Sequence, residues 1–130
     1  MIVVDASALV AIGDGEPEAE RFLKALEHSP SCISAVNYVE TGLILIGRGR
    51  IPSQDDLDHW LNHLSVKVMP DENLAAAALN AYLAYGRGYH PAKLNLADCF
   101  AYALAKTLDA PLLYKGDDFP MTDVRSALDA

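Results

Sequence analysis

Met1-Ile2-Val3-Val4-Asp5-Ala6-Ser7 decides the fold class of this chain. Ile2, Val3 and Val4 run without alternation straight into a carboxylate. A continuous apolar run of this kind reads as a strand buried on both faces, the condition of a parallel sheet. Asp5 then falls where the strand leaves the sheet, and open α/β sheets bind ligands outside the carboxyl ends of their strands. Ser7 suits the N-cap of the Ala8-Leu9-Val10-Ala11-Ile12 helix that follows. Asp5 is therefore either a second capping residue or a site residue.

Outward from this stretch, strands and helices alternate. Glu16-Pro17-Glu18 starts a helix with the stripe Phe22, Leu23, Leu26. Ser31-Cys32-Ile33 is a short buried strand, and Ser34 caps a helix from Ala35 to about Gly47. Ser53 and Asp56 have capping-box spacing at the start of a helix carrying Leu57, Trp60, Leu61 and Leu64. Val66-Lys67-Val68-Met69 reads as a strand, and Asp71 as the cap of an alanine-rich helix from Glu72 to about Tyr85. A loop, 86–91, leads to Asn95, the cap of a helix from Leu96 to Leu108. Pro111-Leu112-Leu113-Tyr114 is the last clear strand, with an edge strand expected around Val124. The pattern predicts one α/β domain over 1–130, with a mainly parallel sheet of about five strands flanked by helices.

The totals limit the function. Of 130 residues, 52% are hydrophobic and 22% charged, which excludes disorder. The formal net charge of −8 excludes a grip on nucleic acid by bulk charge, so an RNA or DNA role needs a local basic patch, a metal ion or a basic partner. Cys32 and Cys99 both lie in apolar segments, which suits buried free thiols and a reducing compartment. No apolar run approaches the roughly 20 residues of a membrane span, and no basic, apolar signal stretch opens the chain, so the expected location is the cytoplasm.

Several acids stand where a core-facing residue belongs. On the helix from Ala35, Val36, Val39, Leu43 and Gly47 share a face at 100° per residue, and Glu40 falls inside it. A glutamate there is an ion pair, a side chain reaching out to solvent, or a ligand. Asp98 stands three residues after Asn95 on a helix that is apolar nearly all round, and can be a cap, a ligand or both. Asp117-Asp118, with Asp123 nearby, reads as a solvated turn when taken alone. Together, Asp5, Glu40, Asp98 and a terminal aspartate would converge on one sheet edge. Carboxylates without a matching basic cluster become sensible around Mg²⁺ or Mn²⁺, which take oxygen ligands. Such a site polarises a phosphoryl oxygen and activates water, and its natural substrate is a phosphodiester.

In this order and spacing the chain resembles the PIN-domain ribonucleases, specifically the VapC toxins of VapBC toxin–antitoxin pairs. The stretches that carry the resemblance are Ile2 to Leu9, Ser34 to Thr41, Gly88 to Ala105, and Leu112 to Phe119 with Thr122-Asp123-Val124. The resemblance implies a PIN fold, Mg²⁺-dependent endoribonuclease activity, a homodimer and inhibition by a VapB-type antitoxin. By position, Asp5, Glu40 and Asp98 match the acidic ligands. Many relatives carry an aspartate where Gly116 stands, so the fourth acid falls on Asp117 or Asp118. Ser7 matches a supporting polar position, and Ala97 replaces a glycine usual in the subgroup.

Arg87, His90 and Lys93, just before Asp98, are candidate RNA-phosphate contacts, and Arg48 and Arg50 after the Glu40 helix are similarly placed. An antitoxin would insert a helix near the carboxylates. Any exposed residues among Leu45, Ile46, Trp60 and Leu64 would line that groove or a dimer contact, with core packing the default for each. Two rivals remain. A phosphatase using Asp5 as nucleophile wants a second aspartate two residues on, where Ser7 stands. A catalytically inactive PIN module would bind RNA or a partner through the same surface.

Overall fold

A computed structural model describes residues 1–128. The chain runs β1 (Ile2–Val4), α1 (Ala6–Gly13), α2 (Ala19–Glu27), β2 (Ser31–Ser34), α3 (Ala35–Gly47), α4 (Gln54–His63), β3 (Val66–Met69), α5 (Leu74–Tyr85), α6 (Leu96–Thr107) and β4 (Leu112–Leu113), closing with a 3₁₀ turn at Phe119–Met121. The four strands form one parallel sheet in the order β3-β2-β1-β4. No helix among the described residues is long and apolar enough to cross a membrane.

The unalternating Ile2-Val3-Val4 run is buried on both sides, as its composition requires. Val3, Cys32 and Leu112 turn to one face, against α5 and α6. Ile2, Val4, Ile33 and Leu113 turn to the other, against α1, α2 and α4. Both cysteines are free and buried. Since β1 pairs with β2 on one side and β4 on the other, chain order reverses beside β1. The crevice at the carboxyl ends of β1 and β4 is thus the ligand position for a sheet of this type.

Three expectations need correction. The sheet has four strands, because the segment around Val124 adds only a single bridge, Leu112 to Ser126, fixed by Leu112 N–H to Arg125 O and Ala127 N–H to Leu112 O. A β4 only two residues long cannot support a further ladder. Asp71 does not cap α5; Asn73 precedes that helix, and the Asp71 carboxylate instead accepts from the backbone N–H of Ala35 at 3.1 Å. On α3 the supposed core face is outside: Val39 is 54% and Leu43 73% exposed, while Asn37, Thr41, Gly42 and Leu45 are buried. A helix apolar nearly all round does not announce its buried face by periodicity. Here small and hydrogen-bonding residues select it; a Cβ on Gly42 would lie 3.0 Å from Leu57 Cδ2. On α6 the expected burial on most sides holds through the middle of the helix, where Cys99, Ala101, Ala103, Leu104 and Ala105 are buried, while its first residue, Leu96, is 67% exposed.

Candidate active site

Asp5 follows β1 directly and is only 3% exposed. Its backbone N–H still donates to Leu113 O, so it is anchored in the sheet. Oδ2 accepts the N–H of Ser7 at 3.0 Å and caps α1. Oδ1 is buried with no hydrogen-bond partner among the described residues. The capping role is thus filled by one carboxylate oxygen, while the other is left buried and unpaired. Burial pushes Asp5 up from its ordinary 3.8 to about 6; the bonds from Ser7 pull it back down and the charge of Glu40 adds to the rise.

Glu40 is half-buried at the border between the inward face of α3 and the exposed Val39–Leu43 side. Burial raises its pKa, the Asn37 amide lowers it, and the charge of Asp98 raises it. Asp98 is also half-buried, in the first turn of α6. It completes a capping box: Asp98 N–H donates to Asn95 Oδ1 at 2.8 Å, and Asn95 N–H donates to Asp98 Oδ2 at 3.0 Å. Burial pushes Asp98 up to about 6, with the Asn95 bond lowering it and the charges of Asp5 and Asp118 raising it.

The last pair of acids divides. Asp118 is half-buried and its charge reaches Asp98, whereas Asp117 is exposed. Asp5, Glu40, Asp98 and Asp118 therefore form a chain of mutually repelling carboxylates at one end of the sheet. Among the described residues, no three His, Cys, Asp or Glu side chains close into a cluster that could hold a metal ion as they stand. The donor set nevertheless suits a hard divalent cation: every donor is oxygen, and one buried oxygen is unpartnered.

Ser7 Oγ accepts the backbone N–H of Lys115 at 2.9 Å, tying the start of α1 to the turn that carries Asp118. Lys115 itself turns away, its ammonium bonded to Glu16 at 2.9 Å and Glu18 at 3.2 Å. His90 has a local duty: Nδ1 accepts the N–H of Ala92 at 3.0 Å, and its ring stands edge-on to Tyr85. Arg87 and Lys93 are exposed and form no ion pair among the described residues. Arg48 and Arg50 are not at the site. Both bind Asp14, the C-cap of α1, at the opposite end of that helix from Asp5. Leu45 is fully buried, and Ile46, Trp60 and Leu64 pack against the core.

Sequence reasoning took Asn37 only as part of a motif. The structure buries it completely, with its amide between α3 and α6. The available signal was an asparagine inside an apolar helix, a position it occupies stably only when bonded.

A PIN-domain family profile matches residues 2–124. The chain belongs to the PIN-domain family. Among PIN-domain relatives, it is 44% identical over 125 residues to ribonuclease VapC30 of Mycobacterium tuberculosis (strain H37Rv), covering 95% of both chains. It is 46% identical over 129 residues to ribonuclease VapC42 of the same strain, covering 97% of this chain and 98% of the relative. Such full-length matches place this PIN-domain chain with the VapC ribonucleases. The PIN fold is also that of M. tuberculosis VapC20, a sarcin-ricin-loop-cleaving toxin, with a TM-score of 0.70 at 19% identity over 96% of this chain and 99% of that one. A toxin–antitoxin complex from Klebsiella pneumoniae gives a TM-score of 0.66 at 18% identity over 92% and 90%.

Proposed function

We propose that this protein is the toxin of a toxin–antitoxin pair, an endoribonuclease that cleaves RNA phosphodiesters with a divalent cation, Mg²⁺ or in its place Mn²⁺, held by Asp5, Glu40, Asp98 and Asp118. The observation that carries this reading is the buried, unpartnered Oδ1 of Asp5 among three further carboxylates. Buried charge of one sign is costly, and a cation offsets it. Family membership and the names of the relatives supply the substrate class.

When bound, the cation polarises a phosphoryl oxygen and lowers the pKa of water. The chain supplies the positioning. Ser7 holds Asp5 Oδ2, leaving Oδ1 without a hydrogen bond and open to a cation. The capping box fixes Asp98, and the Ser7–Lys115 bond places the Asp118 turn. Arg87 and Lys93, which form no ion pair among the described residues, bind RNA phosphates beside the acids and offset the acidic total locally. His90 presents its remaining ring nitrogen on the same loop.

An antitoxin of the VapB type is the partner, and the pair acts in the cytoplasm. The exposed apolar residues Val39 and Leu43 on α3, with Leu79, Leu83 and Leu96, favour a homodimer that covers them. The test is incubation of purified protein with total RNA while Mg²⁺, then Mn²⁺, then excess chelator are added, with Asp98→Asn as control. Asparagine still caps α6 but binds metal poorly. Discrete cleavage by wild type alone, abolished by chelator, is expected. Equal products from both proteins would contradict the site, and none from either would favour an inactive binding module.

A further inference from the structure

We propose that Asn37 is a positioning residue of the acidic site: its buried amide ties α3 to the first turn of α6 and so fixes where Asp98 stands relative to Glu40. The inference rests on reading these acids as a metal site.

Asn37 is fully buried, and three of the four hydrogen-bonding positions of its amide have partners. Oδ1 accepts from the hydroxyl of Ser34. Nδ2 donates to Ala97 O at 3.0 Å, across 60 positions of sequence, and lies 3.5 Å from Glu40 Oε1. The partners settle which end of the amide is which. A carbonyl oxygen can only accept, so the nitrogen must face Ala97, and the Ser34 hydroxyl then has the oxygen to donate to.

The Ala97 contact matters because the carbonyl carbon of residue 97 is bonded to the nitrogen of residue 98. That peptide is planar, so holding its oxygen holds the plane from which Asp98 departs. The same plane is held from its other side, where Asp98 N–H donates to Asn95 Oδ1 at 2.8 Å. Asn95 sets Asp98 within its own helix, and Asn37 sets that helix against the one carrying Glu40. Ligands on separate elements need such a support, since a coordination shell tolerates little error in separation.

Removing the amide leaves local structure intact. The N-cap of α3 runs from the backbone N–H of residue 37 to Ser34 Oγ at 3.0 Å, which any residue except proline supplies. Alanine also favours the helix more than asparagine does. Asn37→Ala therefore removes the tie without removing the cap. Asn37→Asp keeps the shape and turns an acceptor toward Ala97 O. Asn37→Ser loses less volume and keeps a hydroxyl beside Ser34, for use if the buried aspartate does not fold.

The experiment is direct Mn²⁺ binding to the apoprotein by calorimetry, for wild type, the Asn37 variants and Leu61→Ala, a core truncation on α4 away from the acids. Folding is checked by circular dichroism. The dissociation constant is expected to rise at least tenfold in Asn37→Ala and Asn37→Asp and to stay within twofold in Leu61→Ala, although Leu61→Ala lowers the melting temperature. Excess Mn²⁺ should restore RNA cleavage by Asn37→Ala, which links the loss to metal placement. Folded Asn37 variants that bind Mn²⁺ within twofold of wild type would overturn the inference while leaving the metal site standing. A wild-type chain that binds no Mn²⁺ would overturn the metal reading itself, and the inference with it.

Discussion

Ser7 and Lys115, 108 positions apart in sequence, are joined by a 2.9 Å hydrogen bond from the Lys115 backbone N–H to the Ser7 hydroxyl. The Ser7 backbone N–H meanwhile holds Asp5 Oδ2. One residue thereby sets both the strand-end acid and the turn that carries Asp118. Ser7→Ala keeps the backbone bond to Asp5 and loses the tie to the turn together with the hydroxyl's own interaction with Asp5. The expected cost in stability is about 1 kcal/mol, the net worth of one hydrogen bond. The expected loss in kcat is larger, between about tenfold and 10²-fold, because misplacement of a catalytic group by 1 Å costs that much. Thermal melting and steady-state cleavage, measured together, check both.

Asp117 and Asp118 separate by substitution. Asp118→Asn should lose most cleavage activity, whereas Asp117→Asn, altering an exposed turn residue, should stay within about twofold of wild type and within about 0.5 kcal/mol in stability. Cleavage rates at saturating Mn²⁺ decide between them. The reverse result would move the fourth acid one position.

The raised pKa values of Asp5 and Asp98, both about 6, have a definite sign for stability. Each group binds a proton more readily in the folded than in the unfolded chain. Between about pH 6 and the unfolded value near 3.8 the folded state therefore holds more protons, and without metal these groups favour folding as pH falls through that window. Above pH 6 both are ionised and weigh against the fold. A two-unit shift corresponds to at most about 3 kcal/mol for the buried Asp5. In chelator at pH 8, Asp5→Asn, which still caps α1, should melt above wild type. Added Mg²⁺ should raise the wild type alone and reverse the order. Melting curves at pH 5 and pH 8, with and without Mg²⁺, test this.

Leu43 is the most exposed of the large apolar residues among those described, at 73%. Leu43→Glu should change stability by less than about 0.5 kcal/mol. For the proposed homodimer through this face, it should also shift the mass toward monomer in light scattering at matched concentration. An unchanged mass would place the dimer contact elsewhere.

The sequence made the sheet legible because a strand buried on both faces cannot hide: Ile2-Val3-Val4 has no polar position to leave exposed. Three of the four acids were equally legible, two through their position after a strand or a cap and one as a charge among apolar neighbours. The reasoning for Glu40 reached the right region by a wrong face. Val36, Val39 and Leu43 share a side of α3 with the periodicity of a core stripe, yet Val39 and Leu43 are exposed, because Asn37, Thr41 and Gly42 permit closer packing and satisfy their own polar groups inside. Asn37 stayed out of view for a related reason: its role depends on Ala97 O, and no local pattern reports a bond across 60 positions. Arg48 and Arg50 were placed near Glu40 by sequence distance alone, whereas Asp14 holds both at the far end of α1.

The most direct test of the central claim is single-turnover cleavage of one defined RNA by wild type and Asp5→Asn, purified identically, at increasing Mn²⁺ and then in excess chelator. If the acids hold the cation that cleaves RNA, wild type cuts with a rate that rises and saturates with Mn²⁺, chelator stops it, and Asp5→Asn is slower by at least about 10²-fold while remaining folded. Cleavage by Asp5→Asn at the wild-type rate, or wild-type cleavage that persists in chelator, would contradict it.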